Sequence, residues 1–205
     1  MVEVAGGGRD AGVAELAGDD GDVDALSPEL GGGAVTGSRV SALLAWDDGT
    51  GPALYVAGWH LEVDGTDTRL AKWDGEQWYT FRNVNSGICD MCVFDDGLGS
   101  ALYIGGWFPG AMAPPSFKVL NYVAKSTGWD WEPLGYGVML GVDTWAVDAL
   151  AVFDDGGGPA LYVGGDFHCV FNTPDDYFRV SNIARWEGAG WYGVGGGVPH
   201  QPPDH

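Results

Sequence analysis

Positive charge is scarce in this sequence. Nine Lys and Arg stand against 29 Asp and Glu in 205 residues, a net charge of −20. The cations are scattered, Arg39, Lys72, Lys125 and Arg185 among them, and form no basic patch. Nucleic-acid backbones and anionic membrane surfaces would therefore repel the chain, which leaves cations and neutral molecules as partners. No run of eighteen apolar residues occurs, so no transmembrane helix is expected, and residues 1–30 lack the basic start and apolar stretch of a secretory signal. The three cysteines, Cys89, Cys92 and Cys169, cannot close into a full set of disulfides. His60, His168, His200 and His205 show no H-x-x-x-H spacing, so a histidine metal centre is not expected.

Glycine and tryptophan are abundant, at 36 and 10 residues, and 45% of the chain is apolar. That composition predicts a globular domain of aromatic-rich strands joined by tight turns, with little helix. The strands are arranged in a repeat. LLAWDDGTGPALYVAG at 43–58, MCVFDDGLGSALYIGG at 91–106 and ALAVFDDGGGPALYVGG at 149–165 are three versions of one phrase. Their Asp pairs, Asp47/Asp48, Asp95/Asp96 and Asp154/Asp155, lie 48 and 59 residues apart. A period near fifty with strand-like runs and glycine punctuation predicts propeller blades.

Within each copy two apolar runs flank the DDGxG segment, as in a hairpin built on Asp and Gly turn chemistry. A variable loop follows: Trp59 to Arg69, Trp107 to Leu120 and Asp166 to Val180. Two further strands come next, and they keep one fixed distance: Trp73 to Trp78, Ser126 to Trp131 and Trp186 to Trp191 are each five residues apart. Each copy thus predicts a blade of four antiparallel strands. The first two strands barely alternate apolar with polar, as expected of a sheet covered on both faces by neighbours. Gly105-Gly106 and Gly164-Gly165 are read as places where adjacent backbones approach closely.

A strand ending in Gly-Gly, a variable loop, and then an aromatic and a Trp a few residues apart resemble the kelch-type blade. The wording FDDGxGPALYVGG also resembles tandem repeats of large bacterial secreted or surface proteins. The resemblance covers residues 39–198, with Ser126 in place of the third-strand Trp and Ala57-Gly58 in place of Gly-Gly. It implies an all-β propeller of four-stranded antiparallel blades at about 39–86, 87–140 and 141–198, and a location outside the cell or on its surface. It implies a binding scaffold and no activity. Residues 1–38 read either as an acidic, glycine-rich leader or as a worn fourth blade, VEVAGGG echoing LYVGG; residues 199–205 are a Pro-containing tail.

Several residues invite a chemical reading. Cys89 and Cys92 have C-x-x-C spacing, but residues three apart on a strand point to opposite faces, and Cys92 aligns with Leu44 and Ala151 as a core position. The DDGxG carboxylates suit calcium, yet Asp and Gly are also what a turn requires, and no further acidic ligands accompany them. Asp166, with Asp175 and Asp176 in its loop, would be half of a glycosidase carboxylate pair whose other half cannot be assigned. Trp59, Trp107, Trp129 and Trp145 fall outside the repeated Trp positions and are candidates for stacking on sugars or for protein contacts.

The favoured expectation is a non-enzymatic extracellular assembly module that associates with copies of itself into a ring or filament. A worn first blade with an unpaired strand edge would template that contact. A glycan-binding propeller using the loop Trp residues is the alternative, and an acidic-site glycoside hydrolase is a third reading.

Overall fold

The computed structural model describes residues 35–81, 84–113, 116–128, 130–139 and 146–195, and among them the regular structure is all β. The first sheet comprises β1 (Val35–Asp47), β2 (Pro52–Val63), β3 (Thr66–Trp73) and β4 (Trp78–Thr80). The second comprises β5 (Ile88–Asp95) and β6 (Ser100–Gly106), then, beyond a hairpin of β7 (Gly110–Ala113) and β8 (Ser116–Val119), β9 (Val123–Ser126) and β10 (Trp131–Pro133). After β11 (Gly137–Met139) come β12 (Ala146–Asp154) and β13 (Pro159–Asp166) of the third sheet. β14 (Cys169–Phe171) and β15 (Tyr177–Arg179) then precede its last strands, β16 (Ile183–Trp186) and β17 (Trp191–Gly193).

Each of the three main sheets is a four-stranded antiparallel meander, as the repeat predicts, and none closes on itself. The constant five-residue spacing is the register itself: Trp73 faces Trp78, Ser126 faces Trp131 and Trp186 faces Trp191 across the last two strands.

The expected variable loops are largely strand. β2 and β3 run on past Trp59 to a tight turn at Asp64-Gly65, both at positive φ, the geometry that favours Asp-Gly in two-residue hairpins. The segment from Trp107 to Leu120 holds the β7–β8 hairpin, and Asp166 to Val180 holds β14 and β15. β14 also pairs with β11, so Cys169, expected in a loop, opens a strand. Of residues 1–38, read as leader or worn blade, 1–34 lie outside the described residues and 35–38 belong to β1, paired with β2; 199–205, read as a tail, also lie outside them.

The sheets are stacked through their first two strands, β5 lying against β1, β2 and β12, and β6 against β12. Ser41 Oγ donates across the first junction to the Ile88 carbonyl, and Asp90 Oδ2 accepts the Leu150 N–H across the second at 2.8 Å. The stacking produces two cores. One joins Tyr55, Ala57 and Leu70 of the first sheet to Met91, Leu102, Ile104 and Trp131 of the second. The other joins Phe94, Tyr103 and Val123 of the second to Leu150, Leu161, Val163, Trp186 and Trp191 of the third. Gly105 shows why a side chain is missing here: a Cβ would lie 2.4 Å from Val147 Cγ1 of the next sheet. Its counterpart Gly164 has nothing nearer than 4.0 Å, so the expected close approach occurs at Gly105 and not at Gly164.

Candidate functional site

The Asp-Asp turns are built alike in all three copies. The first carboxylate folds back on its own turn: Asp47 Oδ1 accepts the N–H groups of Gly49 and Gly51 at 2.8 and 3.0 Å, and Asp95 and Asp154 do the same for their glycines. The second carboxylate reaches into the sheet. Asp48 Oδ2 accepts from the Tyr55 hydroxyl at 2.9 Å and from Lys72 Nζ at 2.7 Å. Asp96 meets Tyr103 and Lys125, and Asp155 meets Tyr162 and Arg185, in the same roles. Burial pushes the Asp48 carboxyl up, but hydrogen bonds from Lys72, Thr50 and Tyr55 outweigh it and hold it well below the ordinary carboxylate range. Burial and then the Asp96 hydrogen bond raise the Tyr103 phenol above its usual value.

These carboxylates therefore spend their lone pairs on backbone, phenol and cation, the arrangement of a structural tie. The sequence reading missed the cation, although its signal was present: Lys72, Lys125 and Arg185 occupy one repeated position just before Trp73, Ser126 and Trp186. Among the described residues no group of three or more His, Cys, Asp or Glu could hold a metal ion.

The other candidates are only partly brought together. Trp59 and Trp107 meet, ring centroids 5.3 Å apart, with Trp59 packed on Gly87 so closely that a Cβ there would lie 2.7 Å from its ring. Trp107 remains exposed. Trp129 and Trp145 lie outside the described residues. Asp166 stands near Asn182, whereas Asp176 bonds Asn172 and Thr173, so no hydrogen-bond network joins the carboxylates of that segment into a pair. Cys89 approaches Trp107, while Cys92 packs against the second core, where burial and then Asp90 push its thiol up to about 12. Both are free, as is Cys169.

The largest unassigned feature is a pair of apolar faces. The two sides of each main sheet differ. One carries the Trp pair and Leu positions of the first two strands; the other carries the Tyr, its cation and the residue two before that cation. At each junction the Tyr side of one sheet packs on the Trp side of the next. Among the described residues no sheet is stacked on the third sheet's Tyr side or on the first sheet's Trp side, although Val56 and Ala71 on the latter are buried. Leu43 is 63% exposed where its counterparts Met91 and Leu150 are 6% and 8% exposed. Ile183 is 41% exposed where Leu70 and Val123 are 2% and 0%. Leu54 shares the first open face, and Phe153 and Tyr192 share the second. Ala151, expected in the core, is exposed for the same reason: among the described residues no sheet is stacked beyond it.

Comparison with family models, with curated proteins and with solved structures gives no match for this chain.

Proposed function

We propose that the chain is a non-enzymatic scaffold of kelch-like propeller blades that assembles with copies of itself, on a bacterial surface or outside the cell. One observation carries the assembly reading. The face left open on the third sheet and the face left open on the first are the same two kinds of surface that bury each other at both internal junctions. Monomeric proteins rarely leave contiguous apolar faces uncovered, and matching surfaces at opposite ends suit a head-to-tail contact. The third sheet of one copy, seated on the first sheet of another, repeats the internal junction. Such a contact yields a ring where the rotation closes and a filament where it does not. The unpaired edge of a worn first blade, expected as the point of contact, falls outside the described residues, and the described ones support face stacking instead. The location outside the cell rests on the resemblance alone.

Glycan binding is the alternative, favoured by the exposed Trp107 ring beside Trp59; a glycan array separates the two. Light scattering and negative-stain microscopy at micromolar concentration test the favoured reading, which expects oligomers or filaments that shrink when Phe153→Glu puts a charge on the open Tyr side. A folded, monodisperse wild-type monomer overturns it.

A further inference from the structure

The two junctions between the sheets are unequally filled. At the second, Trp186 and Trp191 of the third sheet lie in van der Waals company with Phe94, Tyr103 and Leu134 of the second, and all five are buried. At the first, the counterparts are Trp46, Tyr55 and Phe81 on one side and Ser126 with Trp131 on the other. Where the third sheet has the indole of Trp186, the second has a hydroxymethyl group. Among the described residues no side chain takes the volume of that indole. A cavity of about 330 Å³ opens there, lined by Trp46, Tyr55, Phe81, Leu102 and Ser126 and reaching the Asp48 turn. That lies at the lower end of the range for ligand pockets, roughly 300–1,000 Å³.

We propose that this cavity is a binding site for one neutral, planar aromatic ring of indole size. Its walls are aromatic on one side, with Trp46 and Tyr55 centroids 5.5 Å apart and Tyr55 and Phe81 5.9 Å apart, so a flat ring gains stacking and edge contacts. Three of the polar side chains at its rim already have partners. Asp48 is neutralised by Lys72, Thr50 Oγ1 bonds Asp48, and Ser126 Oγ donates to the Gly128 carbonyl at 2.8 Å. No unpaired charge awaits a counter-ion, and a sugar's many hydroxyls would find few free partners. The chain's own third copy supplies the template, since an aromatic ring already occupies this place at the other junction. The ring belongs either to a free small molecule or to a Trp side chain of another polypeptide.

Two-dimensional NMR of the full chain titrated with indole, with N-acetyl-tryptophanamide and with glucose tests this. Indole is expected to shift the amide signals of Tyr55, Leu102 and Ser126 with one-to-one stoichiometry. Ser126→Trp, which rebuilds the third copy's arrangement, is expected to raise the melting temperature and weaken indole binding at least tenfold. Should that variant fail to fold, Ser126→Phe makes the same test with a smaller plug. Binding of indole alone assigns the site to a free ligand, and tighter binding of the blocked tryptophan assigns it to a chain-borne ring. Glucose shifting these signals in place of indole, indole shifting none of them, or undiminished binding by the plugged variant overturns the proposal.

Discussion

Lys72 Nζ stands 2.7 Å from Asp48 Oδ2, and the pairing recurs as Lys125 with Asp96 at 2.5 Å and as Arg185 with Asp155. The three ties differ in their surroundings. Lys72 and Asp96 are the buried members of the first two, whereas Arg185 and Asp155 lie on the open side of the third sheet. Removing the cation from a covered tie strands a carboxylate that solvent reaches poorly. Lys72→Met and Lys125→Met should each cost about 1–2 kcal/mol, a partial value because neither pair is fully removed from water. Arg185→Met should leave the melting temperature nearly unchanged. Denaturant unfolding of the three variants measures the contrast.

Acid should unfold the protein through the same ties. Asp48 and Asp96 titrate below their ordinary value of 3.8 in the folded chain, because their hydrogen bonds outweigh burial. A carboxyl depressed on folding contributes stability that is present above its unfolded pKa and is lost as the pH falls toward its folded one. The melting temperature should hold down to about pH 5 and fall steeply below about pH 4. In Asp48→Asn the fall should be shallower, which a series of melts against pH would show.

Most of the sheet architecture was legible because it rests on local chemistry repeated three times. DDGxG sets the turn, and the constant five-residue spacing marks positions that the structure pairs across the last two strands, as Trp73 with Trp78. The insertions were not legible as strands. Asp64-Gly65 is a hairpin signal that was passed over, and the pairing of Gly137–Met139 with Cys169–Phe171 joins segments whose sequences carry no mark of each other. The open faces were hidden for a different reason. Leu43, Met91 and Leu150 are equivalent in sequence, and only their place in the stack exposes the first and buries the others. Ser126 was visible as a departure from the repeat, but the cavity it leaves depends on how two sheets meet.

Gly105→Ala should destabilise the chain by about 1–3 kcal/mol, since its methyl would press on Val147 at the second junction. Val147→Ala combined with it should recover part of that loss. Gly164→Ala meets no such neighbour and should be neutral or slightly stabilising. Thermal melts of the four proteins decide whether close approach, rather than mere repetition, fixes glycine at this position.

Cys92, with its thiol pushed up to about 12 by burial, should react far more slowly with an aromatic disulfide reagent at pH 8 than it does after unfolding. Mass spectrometry after mild oxidation should find no Cys89–Cys92 disulfide. A fast-reacting Cys92 or an intact Cys89–Cys92 bridge would contradict the packing described for β5.

Stacking of one copy's third sheet on another's first is tested most directly by blocking each face in a different sample. Leu43→Asp and Phe153→Glu each spoil one side of the proposed contact and leave the other intact. Circular dichroism confirms that both variants fold, and analytical ultracentrifugation then follows each alone and the two mixed in equal amounts. The account predicts that each variant alone is monomeric and that the mixture forms a dimer which grows no further, because only the two unspoiled faces can meet. Variants that assemble as the wild type does, or a mixture that stays monomeric beside an assembling wild type, would contradict it.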